Sequence, residues 1–182
     1  MALAGQSPRP LVYPQCDRWT AGRALILSVE SGFTHLPGVT TMPRIKIELP
    51  EHFSFSTDIP IYIGHINYGH HLDNAQLISL VSEARVRFFK SLGYTELDVE
   101  GVGIVVADVA AQYRSEAFHG ETLVVEIGAN DFNKYGCDLV WRLSDKASGR
   151  EVARGKHGIM FFDYAARKAV SVPPGFIAKV GD

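Results

Sequence analysis

The sequence predicts an α+β domain in which an antiparallel sheet wraps around one long helix. Two observations lead there. One stretch alone carries apolar residues at helical spacing, and the four stretches after it alternate with a period of two and are separated by turn residues. The predicted order is one or two strands, the helix, then four strands.

Residues 1–43 are interrupted by Pro8, Pro10, Pro14 and Pro37 and keep no steady period. They read as a poorly specified extension to a domain spanning 44–182. Met42 stands directly before the first strand-like run, Arg44-Ile45-Lys46-Ile47-Glu48-Leu49, so translation from Met42 would yield the whole domain. Intact-mass measurement of the native product checks this.

The helix begins after Asp73. Leu77, Leu80, Val81, Ala84 and Phe88 then fall at i, i+3, i+4, i+7 and i+11, which stacks them on one face that must be buried. Asp73 is placed to cap the free N–H groups of the first turn, with Gln76 completing a capping box. Gly93 closes the helix, because glycine takes the left-handed conformation that ends a helix without a Cβ penalty.

The predicted strands follow at about 102–115, 121–130, 135–145 and 151–163. In the third, Leu139, Trp141 and Leu143 face one way, and Asp138, Val140, Arg142 and Ser144 the other. His119-Gly120-Glu121 turns the chain between the first two, and Lys146-Ala147-Ser148-Gly149-Arg150 between the last two. One helix covers only part of such a sheet and leaves its edges open, so a homodimer or homotetramer is expected.

Composition narrows the function. Of 182 residues, 46% are hydrophobic and 21% charged, which fits a folded domain and excludes wholesale disorder. A net charge of −2 provides no global positive field for nucleic acid. No apolar run reaches the about 20 residues that a membrane helix needs, and Cys16 and Cys137 form neither a metal pair nor a disulfide framework. The expectation is a cytoplasmic protein with free thiols.

The chemistry concentrates in Gly64-His65-Ile66-Asn67-Tyr68-Gly69-His70-His71-Leu72-Asp73-Asn74, which holds three of the seven histidines. It ends where the helix starts. Unpaired N–H groups there carry partial positive charge, so a carbonyl oxygen gaining negative charge can be held near Asn74 and Ala75. That placement suits acyl chemistry. His70 and His71 are adjacent and diverge, and no H-x-x-x-H spacing is present, so no metal is expected.

At this point, over about residues 44–164, the chain resembles the hot-dog-fold acyl-CoA thioesterases, particularly the 4-hydroxybenzoyl-CoA thioesterase-like branch. That branch reads like G-D-T-D-x-x-G-H-V-N-N ahead of a helix containing E-A-R; here the run is GHINYGHHLDN, followed by Glu83-Ala84-Arg85. The segment Tyr113-Arg114-Ser115-Glu116-Ala117-Phe118-His119-Gly120-Glu121 also resembles the strand and turn after the family's helix. The resemblance implies a hot-dog fold, hydrolysis of acyl-CoA to free acid and CoA, an acyl-thioester as partner, and no cofactor.

One departure bears on mechanism. The family's two aspartates fall on His65 and Asn67, and Asn67, at the usual catalytic position, cannot act as a carboxylate base; it can orient water or the thioester carbonyl. A base must come from His65, His71, Asp73 or Glu83. The catalytic candidates are thus Asn67, His71, Glu83 and His65, and the substrate-binding candidates Asn74, Tyr68, Gly69 and Asp73.

Plainer roles compete. Asp73 as a cap is worth about 1 kcal/mol without catalysis, Glu83 and Arg85 fit an ion pair on a packed helix, and the histidines fit hydrogen-bonded turn positions. Lys134, Arg142, Arg150, Arg154 and Lys156 read as a solvated strand face. Two rival functions remain open: a hot-dog hydratase or dehydratase, whose loop resembles D-x-N-x-x-H, and a non-catalytic acyl or CoA-binding module that has lost the carboxylate.

Overall fold

The computed structural model describes residues 45–180; the extension, Met42 and Cys16 lie outside them. Six antiparallel strands form one sheet: β1 (Phe55–Pro60), β2 (Gly103–Tyr113), β3 (Thr122–Asn130), β4 (Gly136–Asp145), β5 (Glu151–Asp163) and the short β6 (Lys168–Ala169). The order is β1-β3-β4-β5-β2, with β6 paired to the end of β5. The long helix α1 (Asn74–Ser91) lies on the inner face, and α2 (Pro174–Val180) follows the last strand.

The apolar stripe of α1 does what its spacing demands: Leu77, Leu80, Val81, Ala84 and Phe88 are all buried, against Leu123, Val125, Ile127, Leu139, Trp141 and Leu143 of the sheet. Trp141 can lie across its neighbour only because β5 carries Gly155 opposite it; a Cβ there would come within 2.1 Å of the indole. Gly93, at φ +80°, sits just past the helix. The Tyr94 N–H reaches the Phe89 carbonyl at 2.9 Å and the Gly93 N–H the Lys90 carbonyl at 3.0 Å, which closes the helix as expected.

Three expectations are corrected. Residues 45–50 form no strand. Ile47 is buried while Ile45, which a period of two would place on the same face, is exposed, and among the described residues no strand pairs with them. The first strand is instead Phe55–Pro60, whose Ser, Thr and Asp hide its β character; Pro60, lacking an N–H, suits a strand bonded on one side only, to β3. The capping box forms by half. Asp73 Oδ1 accepts from the N–H of Ala75 (2.8 Å) and Gln76 (3.2 Å), but the Asp73 N–H goes to the His65 carbonyl at 2.9 Å rather than to Gln76. The helix α2 was also not foreseen; it opens on Pro174, a residue preorganised for a first helical turn.

On the outer face, the basic residues meet carboxylates: Arg142 bonds Glu126 at 2.7 Å, Arg154 bonds Glu151 at 2.6 Å, Arg150 bonds Glu121 at 3.2 Å, and Lys156 bonds Asp138. Cys137 is a buried free thiol whose pKa is pushed up to about 12, by desolvation first and then by the charge of Asp138. Burial keeps it chemically inert. Among the described residues no helix is long and apolar enough to cross a membrane.

Candidate functional site

The loop before α1 is a folded object. Asn67 starts a tight turn: its Oδ1 accepts the Gly69 N–H at 2.8 Å and its carbonyl the His70 N–H at 3.0 Å, with His70 at φ +65°. The Asn67 N–H then bonds the His71 carbonyl at 2.9 Å, closing the hairpin. Gly69 is required by close approach, since a Cβ there would lie 2.9 Å from His71 Nε2 and 3.2 Å from Asn67 Oδ1. The imidazole of His71 is therefore laid over the Gly69 backbone. Its Nδ1 stands 3.2 Å from the Leu72 carbonyl and 3.5 Å from Asn67 Nδ2. A carbonyl only accepts, so the shorter contact assigns the proton to Nδ1 and the lone pair to Nε2.

A cavity of about 310 Å³ opens at the amino end of α1, lined by Asn67, His71 and Asn74 from the loop and helix and by Tyr113, Arg114, Ser115 and Glu116 from the end of β2 and the turn beyond; Leu72, Leu77, Ala117 and Val152 make its apolar floor. The two sides are stitched together. The Leu72 N–H donates to the Ala117 carbonyl at 2.7 Å, and the Tyr113 hydroxyl donates to the Asn74 carbonyl at 3.2 Å.

Of the eight residues the sequence singles out, Asn67, His71 and Asn74 line this cavity. The other five do not. His65 is turned aside, its Nδ1 accepting the Tyr62 N–H at 3.1 Å. Tyr68 projects into solvent at 97% exposure, Gly69 serves the turn, and Asp73 is the helix cap. Glu83 pairs with Arg87 at 2.8 Å on the exposed side of the helix, whereas Arg85 is buried and bonds Glu96 at 2.6 Å. The cap also alters the anion site. Because Asp73 takes the Ala75 N–H, the Asn74 N–H is the donor at this helix end without a protein acceptor among the described residues.

Sequence reasoning missed Arg114, Ser115 and Glu116 as cavity residues. Their segment was recognisable, but its return to the loop depends on the Leu72–Ala117 bond, which no local pattern encodes. Among the described residues, no group of three or more His, Cys, Asp or Glu side chains converges as a metal site.

Comparison with known proteins agrees with this architecture. The model of the "Thioesterase-like superfamily" matches residues 61–180. No curated protein sequence matches the chain. Similar solved structures include Slr0204 from Synechocystis, a 1,4-dihydroxy-2-naphthoyl-CoA thioesterase, at 14% identity over 70% of this chain and 96% of that one, with a TM-score of 0.64. The PA2801 protein from Pseudomonas aeruginosa is 24% identical over 70% of this chain and 98% of its own, with a TM-score of 0.65. SAV2348 from Staphylococcus aureus, solved in complex with CoA, is 17% identical over 75% of this chain and 86% of its own, with a TM-score of 0.64. At such identities these likenesses establish the hot-dog fold.

Proposed function

Because the chain belongs to the thioesterase-like superfamily, we propose that it hydrolyses an acyl-CoA to the free acid and CoA. The observation that carries this reading is the cavity at the amino end of α1, where Asn67, His71 and Asn74 meet over an apolar floor. The acyl or aryl group lies on Leu72, Leu77, Ala117 and Val152, and a volume of about 310 Å³ suits a short chain or a single ring. The thioester oxygen faces the Asn74 N–H, which gains strength as charge develops on that oxygen. The Asn67 carboxamide, fixed by Gly69, presents its amide nitrogen toward His71 and helps orient the carbonyl or the attacking water. Arg114, half-exposed at the rim and only loosely paired with Glu151 at 3.7 Å, offers a positive group to the CoA portion.

A homodimer accompanies this reading. Among the described residues, the edge strand β2 is 11 residues long, bonds β5 on one side only, and exposes Val106 and Val109. A second copy pairing there would also wall the cavity beside Tyr113.

The test is thiol release by pure protein from a panel of short, long and aromatic acyl-CoAs, with absorbance of enoyl-CoA followed in parallel. Hydrolysis of a short or aromatic thioester is the expected result. Release from none of the panel overturns the reading, and an enoyl-CoA change without thiol release replaces it with hydration. Asn67→Asp separates a working site from a lapsed one: the acid keeps the acceptor for Gly69 but loses the amide N–H groups that can donate to the carbonyl or the water, so activity should fall, whereas a large gain would identify a binding module that has lost its carboxylate.

A further inference from the structure

The groups first considered for moving the proton are otherwise engaged. Asp73 Oδ1 holds two helix N–H groups, His65 accepts from Tyr62 away from the cavity, and Glu83 pairs with Arg87. His71 does line the cavity, but Nδ1 is turned to the Leu72 carbonyl and Nε2 lies against the Gly69 backbone.

Glu116 is the carboxylate that lines the cavity. Its backbone is held from both sides: Arg150 donates to the Glu116 carbonyl and to Ser115 Oγ (2.8 Å), and the Leu72 N–H holds the next residue, Ala117, at 2.7 Å. None of these bonds uses the Glu116 side chain, which has no hydrogen-bond or ionic partner among the described residues. The nearby glutamates are neutralised, Glu121 by Arg150 and Glu151 by Arg154. A carboxylate left unpaired, on a braced segment, at the mouth of the cavity is placed for proton transfer.

We propose that Glu116 is the general base of the hydrolysis, supplying from the segment after β2 the carboxylate that position 67 lacks; this rests on the thioesterase reading above. The water oxygen bonds to the acyl carbon as Glu116 takes one of its protons. The tetrahedral intermediate then breaks its C–S bond, and the proton held by Glu116 passes to the leaving sulfur. The products are the carboxylic acid and CoA thiol, with Glu116 again ionised.

The experiment compares wild type, Glu116→Gln and Glu116→Asp on the acyl-CoA that the wild type hydrolyses best from the same panel. Glu116→Gln should lower kcat by about 10²-fold or more with KM within about threefold, abolish the acidic limb of the kcat/KM profile, and leave the melting midpoint unchanged because the side chain has no hydrogen-bond or ionic partner to lose. Glu116→Asp should retain that limb with intermediate turnover. If Glu116→Gln keeps kcat within about threefold of wild type, the assignment fails while the thioesterase reading stands. An equal loss in both variants with a lowered melting midpoint also overturns it, marking a structural role. If the wild type releases thiol from nothing, the reading itself has failed and the assignment with it.

Discussion

The two ends of α1 are built on opposite principles. At the carboxyl end, Phe89 stacks on Phe176 of α2 with ring centroids 5.8 Å apart, Phe161 meets Phe176 edge-on at 5.1 Å, and Lys179 reaches the last carbonyls through Leu92. The aromatic rings Phe88, Phe89, Phe161 and Phe176 there are fully buried, and the helix closes on Gly93. At the amino end, the Asn74 N–H and the Glu116 carboxylate have no partner among the described residues, and a cavity lies between them. Packing fills one end, and the other keeps open the cavity in which the proposed chemistry is placed. This division lets a fold keep polar groups unsatisfied where a ligand will satisfy them.

The comparison breaks most readily at the sealed end. Phe176 is fully buried on a helix of 7 residues, so Phe176→Ala should lower unfolding free energy by about 3–5 kcal/mol, the usual loss for a buried ring. Urea denaturation measures it. Turnover per folded molecule should hold, since this ring does not line the cavity; a parallel loss of turnover would mean that the two ends are coupled through the helix.

Between the ends, His157 provides a pH readout of the interior. It sits on β5 opposite Leu139, its ring 6.0 Å from that of Trp141, and its Nδ1 has no partner among the described residues. Burial, and then the charge of Arg85, push its pKa down to about 4 from 6.5. Above pH 6.5 the imidazole is neutral folded or unfolded. Between 6.5 and about 4 the unfolded chain takes up a proton that the folded chain refuses, so stability should fall by up to about 1.4 kcal/mol per pH unit, about 3 kcal/mol in all, and level off below. His157→Leu should flatten this slope in chemical denaturation repeated across that window. An unchanged slope would show that other groups set the acid sensitivity.

The helix and the four strands after it were legible because each repeats a period over many residues and ends on a turn residue, as at Gly93, Gly120 and Gly149. β1 was not, since Phe-Ser-Thr-Asp-Ile-Pro carries too few apolar residues to reveal its pairing with β3. The site divides the same way. Asn67, His71 and Asn74 are near neighbours in sequence and could be read as one loop. Glu116 lies 42 residues beyond Asn74, and the Leu72–Ala117 and Tyr113–Asn74 bonds bring its segment home. Long-range register, unlike period, has no local signature.

At the open end the expected effects are smaller. Asp73→Ala removes a side chain that caps two N–H groups and should cost about 1 kcal/mol. It also frees the Ala75 N–H beside that of Asn74. Thermal melting gives the stability loss, and KM for the acyl-CoA shows whether a second donor strengthens or misplaces the carbonyl. A melting change near zero would mean that the Leu72–Ala117 and Asp73–His65 backbone bonds hold the helix start without the cap.

The smallest effect sharpens the contrast most. Glu83 makes an i,i+4 pair with Arg87, both half-exposed, and Arg87 is separately anchored to the Asp58 carbonyl at 2.9 Å. Glu83→Gln should therefore change stability by only about 0.3–0.5 kcal/mol, less still at high salt, as melts at low and high ionic strength would record. Turnover should stay at the wild-type level, because in one chain this carboxylate faces away from the cavity. A fall of tenfold or more without a stability change would have a specific meaning: a second copy docked along β2 carries its own Glu83 into the mouth, and the open end of α1 is completed by the partner rather than by Glu116.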